Sequence, residues 1–127
     1  MVAINSIHPR VVVIEYNASI RPPAAFVVPY SPDNRWTGGN YFGASLSALE
    51  LLGRKKGYTL VGCSLAGINA FFVRDDLVGD KFLSPYTAET HYEPPEYFLF
   101  QHLAGSHPPA VGVYEQIDEN GLESCAK

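Results

Sequence analysis

The chain has 127 residues and a mass of 13.9 kDa, the size of one domain able to bury roughly two-thirds of its unfolded surface. Hydrophobic residues make up 46% and charged residues 17%, a balance that excludes a disordered chain. The net charge of −4 and the pI near 5.4 argue against an electrostatic nucleic-acid binder.

The first element is "RVVVIEYN", Arg10 to Asn17. Apolar residues on both of its faces predict a parallel strand covered on both sides. Burial of Val11, Val12, Val13 and Ile14 would contribute on the order of 6–12 kcal/mol, an upper bound. The strand ends at "NASIRPP", where two prolines remove ladder donors and restrict the residue before them. Residues 18 to 40 form a long connection, with "AFVV" as a short extended piece and "SPDNRW" as a turn. Loops of this length often act as lids or binding loops, and an ordinary packed connection is the equal alternative.

A helix is predicted over Phe42 to Arg54, with Phe42, Leu46, Leu49 and Leu52 or Gly53 on one face. Lys55 and Lys56 suit its negative end, and Gly57 suits its termination. Two strands follow, "YTLVGCS" (Tyr58 to Ser64) and "NAFFVR" (Asn69 to Arg74), joined by "LAGI" as a hairpin. The expected topology has the first two strands parallel through a right-handed crossover and the third antiparallel to them. Beyond Leu77 the periodicity fades. A short helix over Pro95 to Leu103 and a late strand within "AVGVYEQI" are the readings left for the tail. Residues 1–80 are therefore read as an α/β unit, and 81–127 as a tail packed on it.

"RVVVIEYN", "YFGASLSALELLGRKKGYTLVGC" and "GINAFFVRDDL" resemble the C-terminal half of class I S-adenosylmethionine-dependent methyltransferases, and among them the FkbM-like methyltransferases of bacteria. The resemblance covers residues 5 to 78. It implies a partial Rossmann-like sheet: two parallel strands joined by a crossover helix, with a final antiparallel strand inserted between them. It also implies S-adenosylmethionine as cofactor and a small-molecule substrate. Such enzymes hold the cofactor on a glycine-rich loop after the first strand, with an acidic residue ending the second. Neither is present here. "TGGN", Thr37 to Asn40, lacks the G-x-G-x-x-G spacing and a strand before it. By this resemblance the chain is the distal half of the fold, without its cofactor-binding half, as a truncation or a stand-alone remnant.

Glu15 and Asn17 alternate at the carboxyl end of the first strand, the end where ligands of open α/β sheets collect. They are the candidate catalytic pair, Glu15 as general base and Asn17 orienting a substrate. The competing reading pairs Glu15 with a loop amide or Arg35 and gives Asn17 a turn. Asp33, Arg35, Trp36, Asn40 and Tyr41 are candidate substrate contacts on the long connection, with Trp36 alternatively plugging the core edge. His8, His91, His102 and His107 lack metal-site spacing, and the two cysteines, Cys63 and Cys125, are too few and too far apart for a zinc site or disulfide framework. Cys63 is read as an inert strand residue. Ser45 and Ser47 lack a nucleophile elbow. The longest aliphatic run, Val11 to Ile14, is far short of a membrane span, and the expected compartment is the reducing cytoplasm.

Three functional expectations follow. The first is a methyltransferase-like half-domain carrying substrate-side residues. The second is a non-catalytic interaction or oligomerisation module, in which the outer edge of Val11 to Tyr16 pairs with another chain, a second copy or the tail strand around Val111 to Tyr114. The third is an enzyme of another class with Glu15 as base.

Overall fold

A computed structural model describes residues 5–96 and 107–118. Its centre is a three-stranded sheet of β1 (Val11–Glu15), β3 (Tyr58–Cys63) and β4 (Asn69–Arg74). The spatial order is β1-β4-β3, with β4 antiparallel to both neighbours, so β1 and β3 run in one direction on either side of it. β1 meets β4 in the register Val11↔Val73 to Glu15↔Asn69. β3 meets it from Tyr58↔Arg74 to Cys63↔Ala70, with a bulge between Leu60 and Gly62.

Opposite residues of an antiparallel pair share a face. Val12, Ile14, Leu60, Ala70 and Phe72 line the face that builds the core, where Phe72 and Leu60 are buried beside Leu46 and Leu49. Each such side chain contributes about 1.5–3 kcal/mol by leaving water. Val11 and Val13 lie on the other face and are 53% and 56% exposed. The expectation of a strand covered on both sides is thereby corrected among the described residues. β1 is an edge strand alternating exposed and half-buried positions, because the layer that the described residues pack against this part of the sheet lies on its Val12 side.

Helix α1 (Leu46–Lys55) forms that layer. It comes so near β4 that a Cβ on Gly53 would stand 2.7 Å from Phe72, which is why the apolar helix stripe ends in a glycine. The helix begins four residues later than its periodicity predicts. Ser45 is the N-cap, in extended conformation, and its Oγ accepts from the amides of Ala48 (3.2 Å) and Phe26 (3.0 Å). Residues 43–45 bond instead to β2 (Phe26–Val27): Val28 donates to Gly43 (2.8 Å) and Ser45 to Phe26 (2.8 Å). These bonds hold the stretch before Leu46 extended, and the cap completes the stop. At the other end Arg54 and Lys55 occupy the last turn and Gly57 takes φ 76°.

The β3–β4 turn is drawn in by Ser64. Its Oγ accepts from Ile68 (3.2 Å) and Asn69 (2.9 Å), and its amide donates to Asn69 (2.8 Å). Gly67 sits there at φ 65°, with the Pro94 carbonyl 2.2 Å from where a Cβ would stand, so both conformation and space require glycine. Two one-turn helices follow, α2 (Asp75–Val78) and α3 (Ala88–His91), the latter capped by Thr87. Neither has enough length to show a period. In the tail, the strand is β5 (Glu115–Gln116), antiparallel to β2 in a separate two-stranded sheet. The late strand expected within "AVGVYEQI" is thus present at Glu115–Gln116, with one correction: the stretch around Val111 to Tyr114 is not strand, and β5 does not cover β1. Pro95 and Glu96 are not helical, and the rest of the helix expected to Leu103 lies outside the described residues.

Candidate functional site

The carboxyl end of β1 is the place to look for a ligand in an open α/β sheet. The chain itself fills it. Glu15 keeps the last ladder position, opposite Asn69, and stays exposed. Tyr16 and Asn17, the next two residues, are completely buried.

Asn17 works as a latch. Its Nδ2 donates to the carbonyls of Asn40 (2.7 Å) and Phe42 (3.0 Å), its Oδ1 accepts from Ser19 (3.1 Å), and its own amide donates to Ala44 (2.8 Å). The strand end and the start of the α1 segment are thus tied by one side chain whose amide hydrogens and oxygen are bound by backbone. Tyr16 does the same for the following segment. Its hydroxyl donates to the Glu93 carbonyl (2.7 Å) and accepts from the Glu93 amide (3.3 Å), and its ring meets Tyr92 edge-on at 6.5 Å. Tyr92 in turn donates to Ala18 (2.7 Å), and Glu96 donates to Ala66 (3.1 Å). Residues 92–96 therefore lie across the carboxyl end of β1 and the β3–β4 turn.

Cys63 closes the cluster against the Tyr16 hydroxyl. Burial pushes its thiol up to about 11; the hydrogen bond with Tyr16 opposes that shift and the Glu93 charge adds to it. Burial also pushes the Tyr16 phenol well above its ordinary range, with Cys63 contributing. Both groups therefore keep their protons at neutral pH.

The residues of the long connection separate into two sets. Asn40 and Tyr41 hold the tail. Asn40 donates its amide to Pro108 (3.0 Å) and accepts from Ala110 through Oδ1 (2.7 Å), while Tyr41 donates its hydroxyl to Val113 (2.7 Å) and stacks edge-on against Tyr114 at 5.1 Å. Trp36 donates Nε1 to Gly39 (2.8 Å), lies edge-on to His107 at 5.1 Å and remains 61% exposed, so it does not plug the core edge. Asp33 and Arg35 lie in an exposed run. The structure brings Asn17 and Asn40 together, leaves Glu15 at the surface of β1, and leaves Asp33 and Arg35 in solvent.

Sequence reasoning passed over Tyr16, Tyr92, Glu93 and Glu50. Glu50 is buried on α1, paired with Arg54, and its second oxygen accepts from the amide of Ala88 at the start of α3 (2.6 Å). A charged residue within an apolar helix stripe is the one signal that could have drawn attention to it.

In "TGGN", Gly38 has open space beside it and Gly39 is packed against the tail. A Cβ on Gly39 would stand 2.7 Å from the Ala110 Cβ, so this glycine makes room for the tail. Among the described residues, the Tyr16 and Asn17 side chains just beyond β1 are engaged by the chain's own backbone, while Glu15 stays exposed. Among the same residues, no group of three or more His, Cys, Asp or Glu could hold a metal, and no helix is long and apolar enough to cross a membrane. Comparison with protein-family models, with curated proteins and with solved structures returned no match.

Proposed function

We propose that this chain is the distal, substrate-side half of a methyltransferase-like α/β sheet, and that it transfers no methyl group by itself. One observation carries the reading: β1 and β3 run in one direction, α1 connects them, and β4 returns antiparallel between them. That is the arrangement expected for the last strands of a Rossmann-like methyltransferase sheet. The cofactor-binding half comes from other residues, in a longer polypeptide or in a second one, and S-adenosylmethionine binds there. Glu15, exposed at the carboxyl end of β1, is the side chain of this half that remains available to a small-molecule substrate.

Titration calorimetry of the isolated chain with S-adenosylmethionine should give no binding heat. Micromolar binding would put the cofactor site inside these residues and end the reading. Immunoprecipitation from the source cells, followed by photolabelling with S-adenosylmethionine, should label a longer form of the chain or a co-purifying polypeptide. An unlabelled precipitate counts against the proposal.

A second reading has its own support. The outer edge of β1 is uncovered by other described strands, and a groove of about 370 Å³ runs along it, lined by Ile7, Pro9, Val11, Val13, Lys56 and Tyr58 among others. An apolar edge of this kind accepts another strand, so the chain also serves as an edge-pairing interaction module.

A further inference from the structure

The phase of the β1–β4 ladder determines which backbone groups of β1 face outward. Arg74 donates its amide to Arg10 (3.1 Å) and Tyr16 donates to Ile68 (3.0 Å). Both pairs belong to the register that matches Val12 with Phe72 and Ile14 with Ala70. Hydrogen-bonded and non-bonded pairs alternate along an antiparallel ladder. The even positions 10, 12, 14 and 16 therefore bond to β4, and the N–H and C=O groups of Val11, Val13 and Glu15 point away from it. These three residues also have their side chains on the uncovered face, where Val11 and Val13 are more than half exposed.

From this we infer that a second copy of the chain closes the edge, with β1 pairing antiparallel to β1 about a two-fold axis at Val13. This partner follows from the strand's own symmetry of groups. With Val13 opposite Val13, Val11 of each copy falls opposite Glu15 of the other. All three outward donors and all three outward acceptors of each strand are then bonded. A shift by one residue would set outward groups against inward ones and turn the valines toward the wrong face. The charges agree with the register. Glu15 of one copy arrives opposite Val11 of the other, one residue from the exposed Arg10, so the acidic end of each strand meets the basic end of its mate. Pro9, the next odd position outward, has no N–H to leave unsatisfied. The result is a six-stranded sheet, β3-β4-β1-β1-β4-β3. The inference rests on the edge-pairing reading and not on the methyltransferase resemblance.

The register makes the test specific. In a background with both native cysteines replaced by serine, Val13→Cys should form a disulfide-linked dimer on mild oxidation. Paired Cα atoms in a bonded position lie about 5.5 Å apart, within disulfide range. Val11→Cys should not crosslink, since the two copies of Val11 lie about 13 Å apart along the strands. Light scattering on the native chain should show the mass rising with concentration from 13.9 kDa to twice that value. Val13→Pro should hold it at the monomer mass with its circular dichroism retained, because the lost N–H does not serve the β4 ladder. A native chain that stays monomeric at every concentration, or crosslinking at Val11→Cys as efficient as at Val13→Cys, overturns the dimer. Amide exchange separates that failure from failure of edge pairing as such. In a dilute monomer the amides of Val11, Val13 and Glu15 should exchange quickly while those of Val12 and Ile14 are protected. If all five are protected, the edge is already closed within one chain and both ideas fall.

Discussion

The α1–β3–β4 core and the segments wrapped around it are held by different physics. In the core, periodic apolar side chains meet across a helix and a sheet: Leu46 and Leu49 over Leu60 and Phe72. In the wrapping segments, residues 16–45, 84–96 and 107–117, single side chains bind backbone far away in sequence: Tyr16 to Glu93, Asn17 to Asn40 and Phe42, Tyr92 to Ala18, Tyr41 to Val113. The core is redundant, since many contacts of similar strength share the load. The wrapping depends on few groups, each of which fixes a whole segment. Single substitutions in the second region should therefore loosen one segment locally, and those in the first should lower the stability of the whole fold.

Four substitutions and one titration would break or sharpen that contrast. Phe72→Ala should have the largest effect, a loss of about 3–5 kcal/mol in urea denaturation, because its ring is fully buried against Gly53. Asn17→Ala should cost about 2–3 kcal/mol, since it leaves two carbonyls and an amide without their partner. Its distinguishing mark would be faster proteolysis within residues 18–45 while the β3–β4 amides keep their exchange protection. Tyr92→Phe should cost about 1 kcal/mol by removing the bond to Ala18. It should raise the rate at which Cys63 reacts with a thiol reagent, by loosening the segment above it. Arg35→Ala should change stability by less than about 0.5 kcal/mol, and a larger loss would mean that the exposed run carries structure.

The titration concerns Cys63. Its thiol is raised from an ordinary value of 9.0 to about 11, so between those values the folded chain holds a proton that the unfolded chain releases. The stability contributed by the buried thiol is complete below pH 9 and is lost as pH rises through about 11. Thermal melts of the native chain should therefore fall more steeply over that window than melts of Cys63→Ala. Equal slopes would show that the thiol is not held as described.

Much of the sheet was legible from the residues alone. The apolar run of β1, the glycine-bounded helix and the hairpin around Gly67 each leave a local pattern that reports the type of element, though the run of β1 does not tell that Val11 and Val13 stay exposed. The resemblance then led to the order β1-β4-β3. Less was legible where two elements competed for the same residues. Phe42 fits the helical period, yet Ser45 and the bonds to Phe26 and Val28 keep its neighbours extended. Of the nominated site residues, Asn17, Asn40 and Tyr41 are polar groups at loop positions, and in that sense the sequence marked them. Nothing near them in the chain announces that Asn17 would bind the carbonyl of Asn40 or that Tyr41 would reach Val113.

What the linear pattern determined was the existence of the β1 strand, the α1 helix and the β3–β4 hairpin, because burial on one face imposes a period that neighbours share. Only the tertiary structure decided that Val11 and Val13 lie at an edge no other described strand covers, that Tyr16 and Asn17 are wired to distant backbone, and that β5 pairs with β2 and not with β1. Those outcomes depend on hydrogen bonds between residues up to 77 positions apart. The energy of such bonds depends on how the chain is folded around them and leaves no periodic trace in the residues that make them.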